Sequence, residues 1–473
     1  MILQEREYDE QRGEQMKRKN KACTTLLVGK KAASDGSTMI ARIEDGFEKP
    51  NPQHFVVVSP EQQPRRYCSS ITSFELELPQ NPLRYTSTPD LDDRFGIWAG
   101  GGINSQNVAM TACETITNND RILAIDPLVD TGIGEADFIT LVLPYIHSAK
   151  EGVLRLGKLI ETYGTYEING IAFSDSDEIW YLETIGGHHW AAVRIPDEAF
   201  VLVSNRLAID HFDFNSPDNL SATGLQDLIE KHQLNPTNDE LNLRDIFGTF
   251  TNGDQHYNNP RVWYIQKVFC KNNSSHPEDQ DLPFLAYPDK KLTIEDVRWA
   301  LSSHYQNTPY DPYGEGEMSD KSRYRSIALN RNEETHILQI RNNVSKEIAA
   351  IHWLAFGPNT FNTLVPFYAN ITQTPTIFNE IGSTFKANDI YWLSKAAALL
   401  GDSNFSRFET LRDETVSEAM IEYRKIQLAT DSCEVEDGQM IQDHLEIANN
   451  KMAEIALTKM NELLGEMIKR LGK

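Results

Sequence analysis

Cysteine is scarce in this chain of 473 residues. Its five thiols, Cys23, Cys68, Cys113, Cys270 and Cys433, are odd in number, far apart and without a C-x-x-C pair, which excludes a disulfide scaffold and a thiolate zinc site. Long apolar runs are missing as well: none reaches the roughly 18 to 20 residues that cross a bilayer. The first 22 residues, MILQEREYDEQRGEQMKRKNKA, lack the apolar stretch of a secretory signal. Together these absences imply a cytoplasmic protein that begins with a polar leader. Positive charge is also short, with 45 Lys and Arg against 69 Asp and Glu, a net charge of −24. Such a balance excludes nucleic acid as the main partner, because phosphate binding needs a cationic surface to release counterions, and it disfavours anionic membranes. No H-E-x-x-H, no G-x-G-x-x-G, no internal repeat and no low-complexity tract is present.

What is there reads as an ordinary globular protein, 40% hydrophobic and 24% charged. The leader is nearly neutral, with six basic and five acidic residues, so the acidity belongs to a body that begins at Cys23. Alternating β-rich stretches at 24–28 and 38–42 flank a turn at Ser34, Asp35 and Gly36, which predicts a hairpin opening with Cys23. Further strands are expected at 54–59, at 95–99 before the glycines Gly100, Gly101 and Gly102, and at 108–112. One helix is expected over 137–163. A second β-rich block follows at 170–174, 178–183, 189–194 and 200–204. Helices are expected at 224–232 and 261–269, strands at 336–341 and 349–356, and helix from about Glu409 onward. There, Ile441, Leu445, Ala448, Met452 and Ile455 step by four and three; that seam either packs on its own domain or forms a subunit contact. Strands, helices and strands again predict an α+β or layered α/β/α body and not a regular βαβ alternation.

Cys23 stands out by its company. It opens a strand directly behind the leader, and Arg42 and Asp45 lie on the strand that returns beside it. A neighbouring guanidinium favours the thiolate, and a carboxylate can hold an ammonium group. Cleavage between Ala22 and Cys23 would give the thiol an α-amino group, of reference pKa about 7.7 to 8.0, as its own general base. The pair His188 and His189 suggests a metal, but neighbours on a strand point to opposite faces and no third spaced ligand follows. A structural or pocket role is expected for them. The glycines at 100–102 are expected to permit close approach at a strand bend, and NTPYDPYGEGE, with Tyr310 and Tyr313, reads as a surface loop.

The run CTTLLVGKKAASDGSTMIARIEDG (23–46) resembles the start of the dipeptidase A family of cysteine peptidases, N-terminal-nucleophile hydrolases related to secernins and to bile-salt and penicillin V acylases. The blocks GGINSQNVAMTACETI (101–116), DPLVDTGIGEADFITLVLPYIHSAKEGV (126–153), DEIWYLETIGGHHWAAVRIPD (177–197), VLVSNRLAI (201–209), YNNPRVW (257–263) and, more loosely, VPFYANI (365–371) agree in the same order. The resemblance implies a four-layer αββα sandwich over 23–400, a removable leader over 1–22 and a helical segment over 401–473. It implies Cys23 as nucleophile, Arg42 beside it, Asp45 on the free α-amino group, Asn205 as oxyanion donor and Arg261 as the last arginine of the site. Glu114 and Asn104 are implied as substrate-binding residues, Glu114 standing where the acylase relatives carry an asparagine. Ile43 and Ser105 depart from the residues more usual at their positions. The activity implied is hydrolysis of dipeptides without metal or organic cofactor, in a homo-oligomer. A related amidase or acylase, or a secernin-like scaffold, would keep the same fold.

Overall fold

The computed structural model describes residues 22–46, 49–92, 99–237, 241–271, 274–433 and 438–472, apart from the side chains of 113–115 and 438–439. Two antiparallel sheets organise it. The first has six strands in the order Phe200–Val203, Cys23–Val28, Thr38–Asp45, Asn332–Ile340, Ala350–Phe356 and Val365–Tyr368. The second has eight, in the order Asn219–Ser221, His189–Ile195, Ile179–Ile185, Asn169–Ser174, Ala109–Thr115, Ala99–Asn104, Tyr85–Pro89 and Val56–Val58. A small two-stranded ribbon pairs Arg66–Cys68 with Glu75–Glu77. Strands and helices mixed in this way make the α+β body that the sequence predicts.

The opening hairpin forms as expected, with Cys23 opposite Glu44 and Val28 opposite Met39. Its turn is held by Asp35, whose carboxylate accepts from the Ser37 amide at 3.1 Å and hydroxyl at 2.6 Å. Gly36 sits at φ 77°, where a side chain would be strained.

Period-two alternation then sorts the side chains into cores. Leu26, Val28, Met39, Ala41 and Ile43 enter a core shared with Trp263, Val297, Tyr391, Tyr423 and Met452 from helices. Leu27, Ile40, Leu338 and Ile340 enter a second core with Ile103, Ala109, Ala172, Tyr181 and Ala191 of the eight-stranded sheet. A third unites Met110, Ile171, Phe173 and Leu182 of that sheet with Phe138, Leu141, Val153, Leu156 and Ile160 of helices Glu135–Val142 and Ala149–Tyr163. Each large aliphatic or aromatic side chain so buried contributes about 1.5 to 3 kcal/mol.

Several expectations change. The single helix over 137–163 is three pieces: Glu135–Val142, a tight turn Leu143–Tyr145 and Ala149–Tyr163. Pro144 cannot continue an α-helix, and Ser148 accepts from the Glu151 amide at 3.2 Å to cap the next one. The three glycines lie inside a strand, Ala99–Asn104, not after one; residues 95–98 of the expected strand lie outside the described residues. Helical structure at the C-terminal end starts at Ile390, earlier than expected, and runs through Ile390–Ser403, Phe405–Asp431 and Gly438–Leu471.

The seam at 441–455 is covered by its own chain. Leu445, Ala448 and Met452 are buried in the first core and Ile441 and Ile455 pack against it, while Asn449 exchanges hydrogen bonds with the Tyr368 backbone at 2.9 and 3.0 Å. Packing on its own domain is thus one of the two roles its spacing allowed, and these residues fill it. The loop with Tyr310 and Tyr313 is likewise packed down: Tyr313 stacks on Phe405 with centroids 4.0 Å apart. Among the described residues no helix is long and apolar enough to cross a membrane.

Candidate active site

The face of the six-stranded sheet that carries Leu27, Ile40 and Leu338 changes character toward the start of the first strand. Leu27, Ile40 and Leu338 form one cross-strand row; Thr25, Arg42 and His336 form the next; Cys23, Glu44 and Glu334 form the last. The alternation is unbroken, and only the residue types switch from apolar to polar and charged.

Arg42 is the centre of this polar end. Its side chain is fully buried; Nη2 donates to Cys23 Sγ at 2.9 Å and to Glu135 Oε1 at 2.8 Å, and Nη1 lies 3.4 Å from Glu44 Oε2. Burial opposes its charge, but the Cys23 sulfur and the carboxylates of Glu44 and Glu135 outweigh that and push its pKa well above the ordinary value. The guanidinium is thus a permanent cation on the sulfur, an environment that favours the thiolate. Glu135 is placed there by the first turn of helix Glu135–Val142, where a negative charge suits the helix dipole. Its backbone amide donates to Glu167 Oε1 at 2.8 Å. Burial, with repulsion from Glu135, pushes the Glu167 carboxyl up to about 8.

The glycine run explains how so large a side chain fits. A β-carbon on Gly100 would lie 2.6 Å from Arg42 Nη1, and one on Gly101 would lie 2.9 Å from His336 Cε1. Close approach is expected of these glycines; the neighbours they admit are side chains of the polar end as well as the Thr86 backbone facing Gly102. His336 is itself braced, with Nδ1 at 2.8 Å from Glu334 and Nε2 at 3.0 Å from Thr111 Oγ1.

A second arginine holds the main chain of the same cysteine. Arg261, near the start of helix Asn259–Phe269, donates through Nη1 to the Cys23 carbonyl and to Thr24 Oγ1 at 2.8 Å, and through Nη2 to Asn205 Oδ1 at 2.9 Å and Asn258 Oδ1 at 2.8 Å. Asn205 lies just past strand Phe200–Val203, which pairs Val203 with Thr25. Two residues on, Asn205 sits in the bend that follows, where Arg261 joins its side chain to the Cys23 carbonyl. Because Arg261 takes the oxygen of the Asn205 amide, the nitrogen end is turned the other way. Asp45, at the end of its strand, receives Arg325, Arg331 Nη2 at 2.9 Å and Asn332 Nδ2 at 2.7 Å, and its backbone amide donates to the Ala22 carbonyl at 3.0 Å.

The structure therefore gathers Cys23, Arg42, Asn205 and Arg261 by direct contact, with Asp45 bonded to the residue before the cysteine. Asn104 is employed otherwise: its amide donates to the carbonyls of Leu143 and Ile146, both at 2.9 Å, and accepts from the amides of Gln106 and Val108. All of these are backbone partners, and together they pin a turn. The side chain of Glu114, and the leader residues 1–21, lie outside the described residues.

His188 belongs to the turn before strand His189–Ile195, which frees it from strand alternation. Both histidines point Nδ1 at one carboxylate, Asp126, at 2.9 and 2.7 Å. Sequence reasoning missed Glu44, Glu135, Glu334, His336 and Thr24. Glu44, Glu334 and His336 were accessible in principle by extending the alternation from Ile40 and Leu338, whereas Glu135 had no local signal.

A buried thiol bonded to a permanent cation, with its carbonyl and the Asn205 amide held by a second arginine, lies in a chain that is a hydrolase of the cysteine-type peptidase class. It belongs to Peptidase family C69, whose model matches residues 22–418. It is similar to dipeptidase A of Lactobacillus helveticus, 52% identical over 460 residues that cover 95% of this chain and 97% of that protein. It is 51% identical over 456 residues to the probable dipeptidase B of Lactococcus lactis subsp. lactis, covering 95% and 96%. A dipeptidase of Bifidobacterium longum is 44% identical over 414 residues, covering 81% of this chain and 78% of that protein.

Proposed function

We propose that this protein hydrolyses dipeptides, with Cys23 as nucleophile once the leader before it is removed. The observation that carries the reading is the pair of arginines on one cysteine: Arg42 on Sγ at 2.9 Å and Arg261 on the carbonyl. In this reading the new α-amino group of Cys23, held by Asp45, takes the thiol proton. The sulfur attacks the scissile carbonyl, a C–S bond forms, and Asn205 donates to the oxyanion. The C–N bond then breaks as the α-ammonium passes its proton to the leaving amine. Water adds to the thioester, the C–S bond breaks and the thiol is restored. Arg261 acts through others, orienting Asn205 and fixing the Cys23 backbone.

We place these residues at one end of a four-layer αββα sandwich. The support for it is the set of three cores, one between the sheets and one between each sheet and helices. Residues 23–400 would form this hydrolase domain, behind a leader over 1–22, with 401–473 packed onto it. The names of the relatives, dipeptidases in each case, support the substrate class.

The test is turnover. Free dipeptides should be hydrolysed in the presence of chelator and activity lost on thiol alkylation; turnover of conjugated bile salts or penicillin V in place of dipeptides would overturn the substrate class.

A further inference from the structure

A second set of cations stands beside Cys23 that the reaction above does not use. Arg325 and Arg331 both bond the Asp45 carboxylate. Arg325 also reaches Thr24 Oγ1 at 3.3 Å, the hydroxyl that receives Arg261 at 2.8 Å. The ring of Tyr257 stacks against Arg261 and Arg325, with the guanidinium carbons 5.2 and 5.3 Å from its centroid, and its hydroxyl accepts from Arg331 Nη2 at 2.7 Å. Three guanidiniums thus surround one tyrosine next to the nucleophile's own strand. Two are sealed, Arg261 completely and the Arg325 side chain with 6% exposure; the Arg331 side chain is 46% exposed.

Among the described residues the charges do not balance around Asp45, since Arg325 and Arg331 share its one carboxylate. Arg325 already answers the carboxylate within the protein, and although burial opposes its charge, Asp45 holds its pKa above the ordinary value. Arg331 is a surplus cation at the solvent-facing side, and a protonated α-amino group on Cys23 would enlarge that surplus. An anion set against Arg331 restores the balance. A dipeptide supplies one at a fixed place, because its free carboxylate lies one residue beyond the scissile carbonyl, about 3.3 to 3.6 Å along an extended chain. The group that recognises it must stand in the wall of the nucleophile's cleft. Nε and Nη2 of Arg331 are engaged by Asp45, and Nη2 also by Tyr257, so the half-exposed guanidinium meets a carboxylate there through its Nη1 and its charge.

We infer that Arg331 binds the free C-terminal carboxylate of the substrate and so confines cleavage to the last peptide bond; the inference rests on the dipeptidase reading. Arg331 is then a specificity residue, with Tyr257 and Asp45 holding it ready.

The experiment compares one dipeptide with its C-terminal amide on the wild type, Arg331→Gln and Arg331→Lys. The wild type should prefer the free acid. Arg331→Gln should lower kcat/KM for the acid by about 10- to 100-fold, mainly through KM, as loss of a hydrogen bond to a charged group does. The same variant should change turnover of the amide by less than about threefold, so that the preference collapses. Arg331→Lys keeps a charge beside Asp45 but loses the planar group that can bond Asp45 and a substrate anion together, and should retain part of the preference. If Arg331 only positions Asp45, acid and amide fall by one common factor and the preference survives; that result overturns the inference alone. A wild type that hydrolyses neither substrate overturns the dipeptidase reading and this inference with it. Should the glutamine variant fail to fold, an undiminished acid preference in Arg331→Lys still overturns the proposal.

Discussion

One face of one sheet carries two regions of opposite chemistry. The row Leu27, Ile40 and Leu338 is dry and apolar, closed against the eight-stranded sheet. Two rows away, Cys23, Glu44 and Glu334 occupy the same face, with Thr25, Arg42 and His336 between. Backbone geometry is continuous across the boundary, so the difference lies in how each end satisfies its side chains. The apolar row needs only contact with neighbours. The polar rows need a partner for every charge, because an unpaired buried ion costs several kcal/mol, and the partners come from distant segments: Glu135 from a helix start, Gln53 on Glu44 from a loop, Thr111 on His336 from the other sheet. One end therefore supplies stability and the other a fixed electrostatic environment for a thiol.

The sharpest way to break this division is a pair of substitutions. Cys23→Ala should abolish turnover while changing stability by less than about 1 kcal/mol, whereas Ile40→Ala should cost about 2 to 5 kcal/mol and leave kcat per folded molecule unchanged. Denaturant melts and active-site-normalised rates decide it; an inactive but folded Ile40→Ala would erase the boundary. Next in size, Asn205→Ala should reduce kcat by about 10²- to 10³-fold with little change in KM, as removal of an oxyanion donor does. A matching rise in KM with kcat preserved would make Asn205 a binding residue.

The last test concerns the acidic support behind Arg42. Glu167 has its pKa raised, first by burial and then by Glu135, to about 8. The folded protein therefore holds a proton that the unfolded chain releases above the ordinary glutamate range. Its contribution to stability is complete below about pH 4.5 and declines as pH rises toward 8. Glu167→Gln, which mimics the protonated form, should flatten this decline when unfolding free energy is measured between pH 5 and 8.5. An unaltered slope would show that Glu167 is not the titrating group.

Much of this was legible in the chain. The opening hairpin follows from Asp35 and Gly36 between alternating stretches, and Cys23 and Arg42 followed from alternation together with family resemblance. What escaped was non-local. Glu135 is 93 residues from Arg42 in the chain, and no periodicity links a helix start to a strand face. Asn104 sits in a block that matches relatives, yet its hydrogen bonds all go to backbone; a motif records that a residue is needed without saying what for. The helical stretch over 137–163 kept its apolar period through Pro144 and Ser148, so the pattern concealed a break that local chemistry reveals. The histidine pair illustrates the converse, since strand alternation was applied to His188, which lies in a turn.

The central claim is that Cys23 acts as an N-terminal nucleophile, and intact mass with N-terminal analysis of the expressed protein tests it most directly. The account predicts wild type beginning at Cys23 and Cys23→Ala retaining its leader. A wild type that keeps residues before Cys23 and is nonetheless fully active would contradict it.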